Sequence, residues 1–446
     1  MISFIRIVVL IIIFSLIIYT NTLSVCIYML FFLKIILILK KKYSLECYGE
    51  LLINTYLLYS LIGVINYTIY YFFCGQTFAP YGDDSYYFMN IIKLLSFKEL
   101  QSFTLYEYIM FFFAKIISFI MPIYHYQLLP INWFIASLTV VEAIKFANLV
   151  LPVNHVKQIY FSSLLIILNS SYIDGSVHLY RDSFMCLFLI LSLRFTYEYR
   201  IRNSILFAVL TGFIRGANGF IVLLYIALTK CIHSVRLSRT GLWMMLSFIL
   251  LLSVFFSKSI DYESYMRGFV GSAGRQTISE RLTNFKEQNS DGLTMTLIKS
   301  NNPFLNACAL PVFMVSPFKI RDFFISEYYS IRSSGSKYVT RFRIESVWEL
   351  VMIFFYSTMV FRLFMGIYYW LKDTDVSRQL LLFIFILMIA SVTYVSMQSR
   401  HKMMFVLLYP LVYNYYYLKS SIFIKRISNY IAVLLFFCSL YYSFII

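Results

Sequence analysis

Acidic and basic residues together make up only 13% of this 446-residue chain, about half the share of roughly 25% usual in soluble domains. With 60% hydrophobic residues and a mean hydropathy of +0.75, that scarcity excludes an ordinary soluble protein. Paired cysteine motifs are also lacking. Cys26, Cys47, Cys74, Cys186, Cys231, Cys308 and Cys438 are scattered without CxxC or metal-ligand spacing, which excludes a zinc or redox framework. Most lie inside apolar runs and read as small buried hydrophobes. Cys74 and Cys308 are the candidates for a disulfide, if both face an oxidising compartment. No small-residue cleavage site separates the first apolar run, Ile7 to Ile18, from the second, Leu23 to Leu39. The start of the chain therefore reads as an uncleaved helical hairpin rather than a secretory signal. No internal repeat is visible, which counts against the inverted-repeat design of many transporters.

What is present is a succession of apolar runs long enough to cross a bilayer, roughly 17–25 residues each. The expected fold is an all-α polytopic membrane protein forming one membrane domain over residues 1–446. The net charge of +17 invites a nucleic-acid reading, but most basic residues sit at helix ends, as the positive-inside rule requires, and no nucleic-acid partner is expected. Lys40, Lys41 and Lys42 mark an inner loop, so Leu51 to Phe73 crosses outward. Tyr108 to Pro122 is short for a span and reads as an interfacial or re-entrant helix after the third span. Ile131 to Leu151 then goes inward and Ile159 to Leu168 outward. Arg194, Arg200 and Arg202 form the next inner loop and Lys230, Arg236 and Arg239 another, with a turn at "RGANG" on the outer side. Gly241 to Phe256, Trp348 to Trp370, Leu380 to Val395 and Met404 to Tyr417 continue the alternation before a last span. This gives about thirteen spans, with the N-terminus inside and the C-terminus outside. Two large outer connections stand out, residues 74–130 and 257–346; loops so long are uncommon without a function.

Ionisable residues not explained by topology fall almost entirely on the outer side. They are Asp83 and Asp84 in "APYGDDSYYF"; Asp174, His178, Arg181 and Asp182 in "SSYIDGSVHLYRDSF"; Arg215 in "TGFIRGANGF"; and Arg400, His401 and Lys402 in "MQSRHKMMF". Charges beside a bilayer are costly and mark substrate or ion paths by default. Each has a plainer explanation. Asp83 or Asp84 would cap the helix starting near Tyr86, and Asp182 would cap the following span or pair with Arg181. Arg400, His401 and Lys402 would anchor headgroups by snorkelling. Arg215 is the hardest to explain so, because it lies between short spans beside glycines with no acid nearby in sequence. Glu142 and Lys145, three apart within a span, read as a helix-face pair. Asp83, Asp84 and Arg215 are the catalytic candidates. Asp174, His178, Arg181, Arg400, His401 and Lys402 are the substrate-binding candidates. No metal set is evident beyond Asp83–Asp84, and no cofactor is expected.

A carboxylate at an outer cavity can act as general base towards a hydroxyl. Arginine, lysine and histidine can grip a pyrophosphate and stabilise its charge as it leaves. Glycosyl transfer from a polyprenyl-pyrophosphate sugar uses both. The acid motif "YGDDSYY" resembles the first-loop acidic motif of the C-type (GT-C) membrane glycosyltransferases. "RDSFMCLFLILSL" followed by "LTGFIRGANGFIVLLY" also resembles a pattern of that superfamily. The large loop ending in "RFRIESVWELV" and the late "SRHKMMF" are similar in layout to Wzy-type O-antigen and capsular polysaccharide polymerases. The resemblance implies a polymerase joining undecaprenyl-pyrophosphate-linked oligosaccharides at the periplasmic face of a bacterial inner membrane, with a flippase and a chain-length regulator as partners. It implies Asp83 or Asp84 as the first-loop acid, and Arg215, Arg400 and His401 as pyrophosphate or sugar contacts. The paired arginine-rich repeats of some polymerases are not found, so no loop residue is assigned. The alternatives are another lipid-linked-sugar-dependent GT-C enzyme and a polysaccharide flippase or transporter. An envelope scaffold and a membrane acyltransferase fit the charge pattern less well.

Overall fold

A backbone in apolar surroundings can satisfy its polar groups only internally, so apolar runs of this length become helices. The computed structural model describes residues 2–43, 45–74, 77–78, 83–96, 104–153, 155–235, 240–244, 247, 302, 326–330, 337–341, 344–392 and 402–445. Among them four helices are long and apolar enough to cross a membrane, five if one bent pair counts as a single span. This is consistent with a helical membrane protein. The regular structure of the described residues is helical apart from one antiparallel hairpin, β1 (Ser326–Ser330) with β2 (Lys337–Arg341), in which Tyr328 pairs with Val339.

Helices α1 (Ile2–Tyr19) and α2 (Cys26–Lys40) both rest on α3 (Glu46–Cys74). Asn21 reverses the chain between them in a left-handed conformation (φ 54°), which a short polar side chain tolerates. Two shorter helices follow, α4 (Asp83–Leu95) and α5 (Leu105–Ser118). The long α6 (His125–Val150) then runs antiparallel to α3. Near one end of the pair Asn148 donates to the Tyr48 hydroxyl at 2.9 Å, and further along Gly63 of α3 lets the Trp133 ring sit against the backbone. Helix α7 (Val156–Ile167) leads into α8 (Ser170–Val177), which meets α9 (Asp182–Tyr197) at 115°. Helices α10 (Ile201–Ile214) and α11 (Gly216–Val235) pack on α9. The C-terminal part comprises α12 (Ile344–Leu371), α13 (Val376–Ser391), α14 (Met403–Val406), α15 (Tyr409–Lys419) and α16 (Ile422–Ile445).

Several expectations change in detail. Helix α6 starts at His125, not Ile131, because Tyr124 and Gln127 form a capping box ahead of the apolar run. "SSYIDGSVHLYRDSF", expected as a connection between two spans, is largely helical. Its first half is the buried helix α8, capped by Asn169, whose Oδ1 accepts from the Tyr172 amide at 3.1 Å. The "RGANG" turn shrinks to the single extended residue Arg215. The expected span Met404 to Tyr417 is broken into α14 and α15, with Pro410 in the first turn of α15. Gly241 to Phe256 and the long loop 257–346 lie largely outside the described residues, as does Cys308. Cys26, Cys47, Cys186, Cys231 and Cys438 are free thiols.

Charges segregate to the two ends of this bundle. At one end, called here the far end, Glu50 takes both Arg6 and Lys40. Glu142 takes Lys145 at 2.8 Å and Arg194 at 2.5 Å, and Arg194 also reaches Glu198 at 2.8 Å. The helix-face pair expected at Glu142 and Lys145 is thus part of a larger network. At the opposite end, called here the site end, the remaining buried ionic groups collect. The apolar middle depends on close backbone approaches, the tightest involving Gly366 of α12, where an added Cβ would stand 2.2 Å from the Val412 carbonyl oxygen of α15. Gly366→Ala should therefore destabilise by about 1–3 kcal/mol, the usual cost of overpacking. A lowered thermal midpoint of the detergent-solubilised chain checks this; an unchanged midpoint would contradict the α12–α15 packing.

Candidate functional site

Asp84 sits in the first turn of α4, where the helix N-terminus favours a carboxylate. It does not act merely as a local cap. Its side chain is buried and reaches across the fold to the turn 178–181 between α8 and α9. Asp84 Oδ2 lies 2.5 Å from His178 Nδ1, and Oδ1 accepts from the Leu179 amide at 2.5 Å. His125, the first residue of α6, brings its Nε2 to 3.3 Å from Asp84 Oδ1. That approach has the distance of an ion pair without the alignment of a hydrogen bond. Phe78 and Phe88 cover the His125 ring, with centroids 4.7 and 5.8 Å away. Burial alone would raise the Asp84 pKa. The positive charge that His178 and then His125 bring when protonated, with the hydrogen bond from His178, outweighs it and holds the carboxyl well below its ordinary range.

His178 is fixed from several sides. With Nδ1–H donated to Asp84, Nε2 is left to accept from Asn66 Nδ2 of α3 at 3.0 Å. The same Nε2 is 3.5 Å from Asp174 Oδ1, one turn back on α8 and about 29% exposed. A proton taken at Nε2 would therefore meet a carboxylate. Asn132 of α6 pins the turn itself, donating to the carbonyls of His178 at 2.6 Å and Tyr180 at 2.9 Å. Tyr180 stacks on the His178 ring at 5.0 Å. The arrangement is a carboxylate–imidazole pair with one imidazole nitrogen directed towards a partly exposed acid, which suits proton transfer.

The turn also carries a second ionic group. Asp182, the first residue of α9, pairs with Arg215 at 3.0 Å, and both side chains are 3% exposed. Arg215 has no acid near it in sequence; α9 supplies one. Arg181, next in chain, donates to the Ile214 carbonyl at 3.1 Å and so helps close the end of α10. Lys402 is buried at the start of α14, whose Met403 fills the space over Gly175 of α8.

Of the sequence candidates, the structure brings together Asp84, His178 and Asp174, and separately Asp182, Arg215 and Arg181, with Lys402 on the neighbouring helix. Asp83 stands beside Asp84 in the first turn of α4. Arg400 and His401 lie outside the described residues. Sequence reasoning passed over His125, Asn66 and Asn132. Their signal was available, because each is a lone polar side chain in or at the edge of an apolar run. Among the described residues no group of three metal-ligating side chains could hold an ion. No protein-family model, curated protein or solved structure matches this chain.

Arg215→Met would leave Asp182 buried and unpaired, a loss of about 3–5 kcal/mol. Adding Asp182→Asn should recover at least half of it; thermal midpoints of the single and double variants check this. Asp84 has a different signature. Because its folded pKa is depressed, its stabilisation is complete above the ordinary carboxylate range and fades as pH falls through and below it. Asp84→Asn should lower the midpoint at neutral pH and flatten its decline towards acid; parallel acid limbs in variant and wild type would refute the buried ion pair.

Proposed function

We propose that this chain is a membrane glycosyltransferase, a polysaccharide polymerase that joins oligosaccharide units carried on a polyprenyl pyrophosphate. One observation carries the reading. Two buried ionic groups, Asp84–His178 and Asp182–Arg215, meet at one short turn at one end of a helical bundle whose middle is apolar. Apolar walls for a lipid tail, cations for a pyrophosphate and a held imidazole are what such a transfer requires.

In this reading Asp84 orients His178, and His178 Nε2 accepts the proton of the acceptor hydroxyl. The hydroxyl oxygen bonds to the anomeric carbon as the bond from that carbon to the pyrophosphate oxygen breaks, and the electron pair leaves with the pyrophosphate. Arg181 and Lys402, with Arg400 and His401, would hold the departing anion. Arg215 is a positioning residue, since it keeps Asp182 charged and the start of α9 in place. The site end would face the periplasm of a bacterial inner membrane, with the N-terminus cytoplasmic, about thirteen spans in all, and loop 257–346 covering the sugars. A flippase and a chain-length regulator would be its partners.

A second reading has its own support. The 115° break between α8 and α9, with His178, Arg181 and Asp182 at or beside the bend, is the broken-helix feature expected of a transporter of lipid-linked sugars. The surface-polysaccharide ladder of a deletion strain separates the two. Complementation with His178→Gln or Asp84→Asn should leave a single added unit and no longer chains, provided the variants accumulate in the membrane and melt as folded protein. Full-length ladders would refute the polymerase assignment. Complete absence of capped product would favour the transporter.

A further inference from the structure

Away from the site end, a cavity of about 450 Å³ opens between α3 and α7, within the roughly 300–1,000 Å³ typical of ligand pockets. Its walls are mostly apolar, with Leu51 and Leu58 on one side and Phe161 and Leu164 on the other. Two features distinguish it from a plain crevice. The first is Thr55, which lines the cavity at 1% exposure, while its hydroxyl has no hydrogen-bond partner among the described residues. Ser137, Thr139 and Thr229 instead turn back to the carbonyls of Trp133, Ile135 and Tyr225 at 2.7–2.8 Å, while Ser60 and Thr68 of α3 share the unpartnered state of Thr55 without lining this cavity. An unspent hydroxyl in an apolar wall calls for an acceptor from outside.

The second feature is Lys157, in the first turn of α7 at the far end of the same cavity. Among the described residues it makes no ion pair, whereas nearby Arg6 and Lys40 both bind Glu50. Lys157 therefore offers an exposed positive charge at the mouth. An apolar channel with an acceptor-seeking hydroxyl in its wall and a lone cation at its rim matches one chemistry. We propose that this cavity binds an anionic glycerophospholipid. One acyl chain lies along Leu58 and Leu164, an ester-region oxygen accepts from Thr55, and the phosphate rests on Lys157. The cavity is separate from the Asp84–His178 cluster, and the proposal stands whether or not the chain transfers sugars.

Native mass spectrometry of the full chain in detergent, with dioleoyl phosphatidylglycerol or dioleoyl phosphatidylcholine added, tests this. The wild type should retain the anionic lipid at least fivefold over the zwitterionic one. Lys157→Gln should remove about fivefold of that retention, in keeping with one basic contact to an anionic headgroup. Leu58→Trp and Leu164→Trp, placed on opposite walls, should each abolish retention of both lipids. Equal retention of the two lipids by the wild type, or unaltered retention in folded tryptophan variants, would overturn the proposal. If neither tryptophan variant folds, the exposed Lys157→Gln decides alone. Displacement of the lipid by millimolar inorganic phosphate would show a bare anion site and would also overturn it.

Discussion

A carboxylate removed from water must be met by positive charge and hydrogen bonds, or it loses its own charge. That constraint organises the site end of this protein. Asp84 is satisfied only because α4, α6 and the turn after α8 converge on it, bringing respectively the carboxylate, His125, and His178 with the Leu179 amide. Separating any one of these elements would leave charge stranded in apolar surroundings. The same logic applies at Asp182, where the partner arrives from the junction of α10 and α11. Helices already held by amide and hydroxyl bonds such as Asn148 to Tyr48 and Asn132 to the 178–181 turn are thus further tied together through two acids.

The two ionic ends are close for a membrane-spanning fold. Along α9, Asp182 and Arg194 are separated by about 18 Å at 1.5 Å per residue. A hydrocarbon core is about 30 Å thick. In the functional reading proposed above, part of this ionic layer would lie below headgroup level, where pairing is obligatory rather than optional. This would account for the saturation seen at the far end, where Glu50 and Glu142 each serve two cations. It would also put the held imidazole at a depth that a lipid-linked substrate reaches without leaving the bilayer.

That the chain is helical, with helices apolar enough to cross a membrane, was legible in hydropathy, which follows from the solvation of single residues. Glu142 and Lys145 were readable as a pair because helical spacing alone brings them together. The partners of Asp84 and Arg215 were not, because both are long-range. His178 and His125 reach Asp84 from other elements, and Asp182 meets Arg215 from a different helix. The reading of "SSYIDGSVHLYRDSF" as a loop failed for a related reason. Its polar residues looked solvent-facing, yet Ser171, Ser176, His178 and Asp182 are buried against other helices. Hydropathy cannot distinguish a solvated polar stretch from one whose polarity is spent on internal partners. The lone amides Asn66 and Asn132 carried that information; they were passed over because an isolated polar residue in an apolar run gives no hint of what it bonds.

The junction at Arg215 has a practical side. Where α10 gives way to α11 there is no connecting segment at all, only one extended residue whose side chain is committed to Asp182. Epitope tags or reporter enzymes for mapping sidedness would wedge that hairpin apart if grafted there, and would report on a damaged protein. The bend at Tyr199, exposed and already in a left-handed backbone conformation (φ 58°), is the better graft point, since extra chain inserted there can extend outward without parting buried ions.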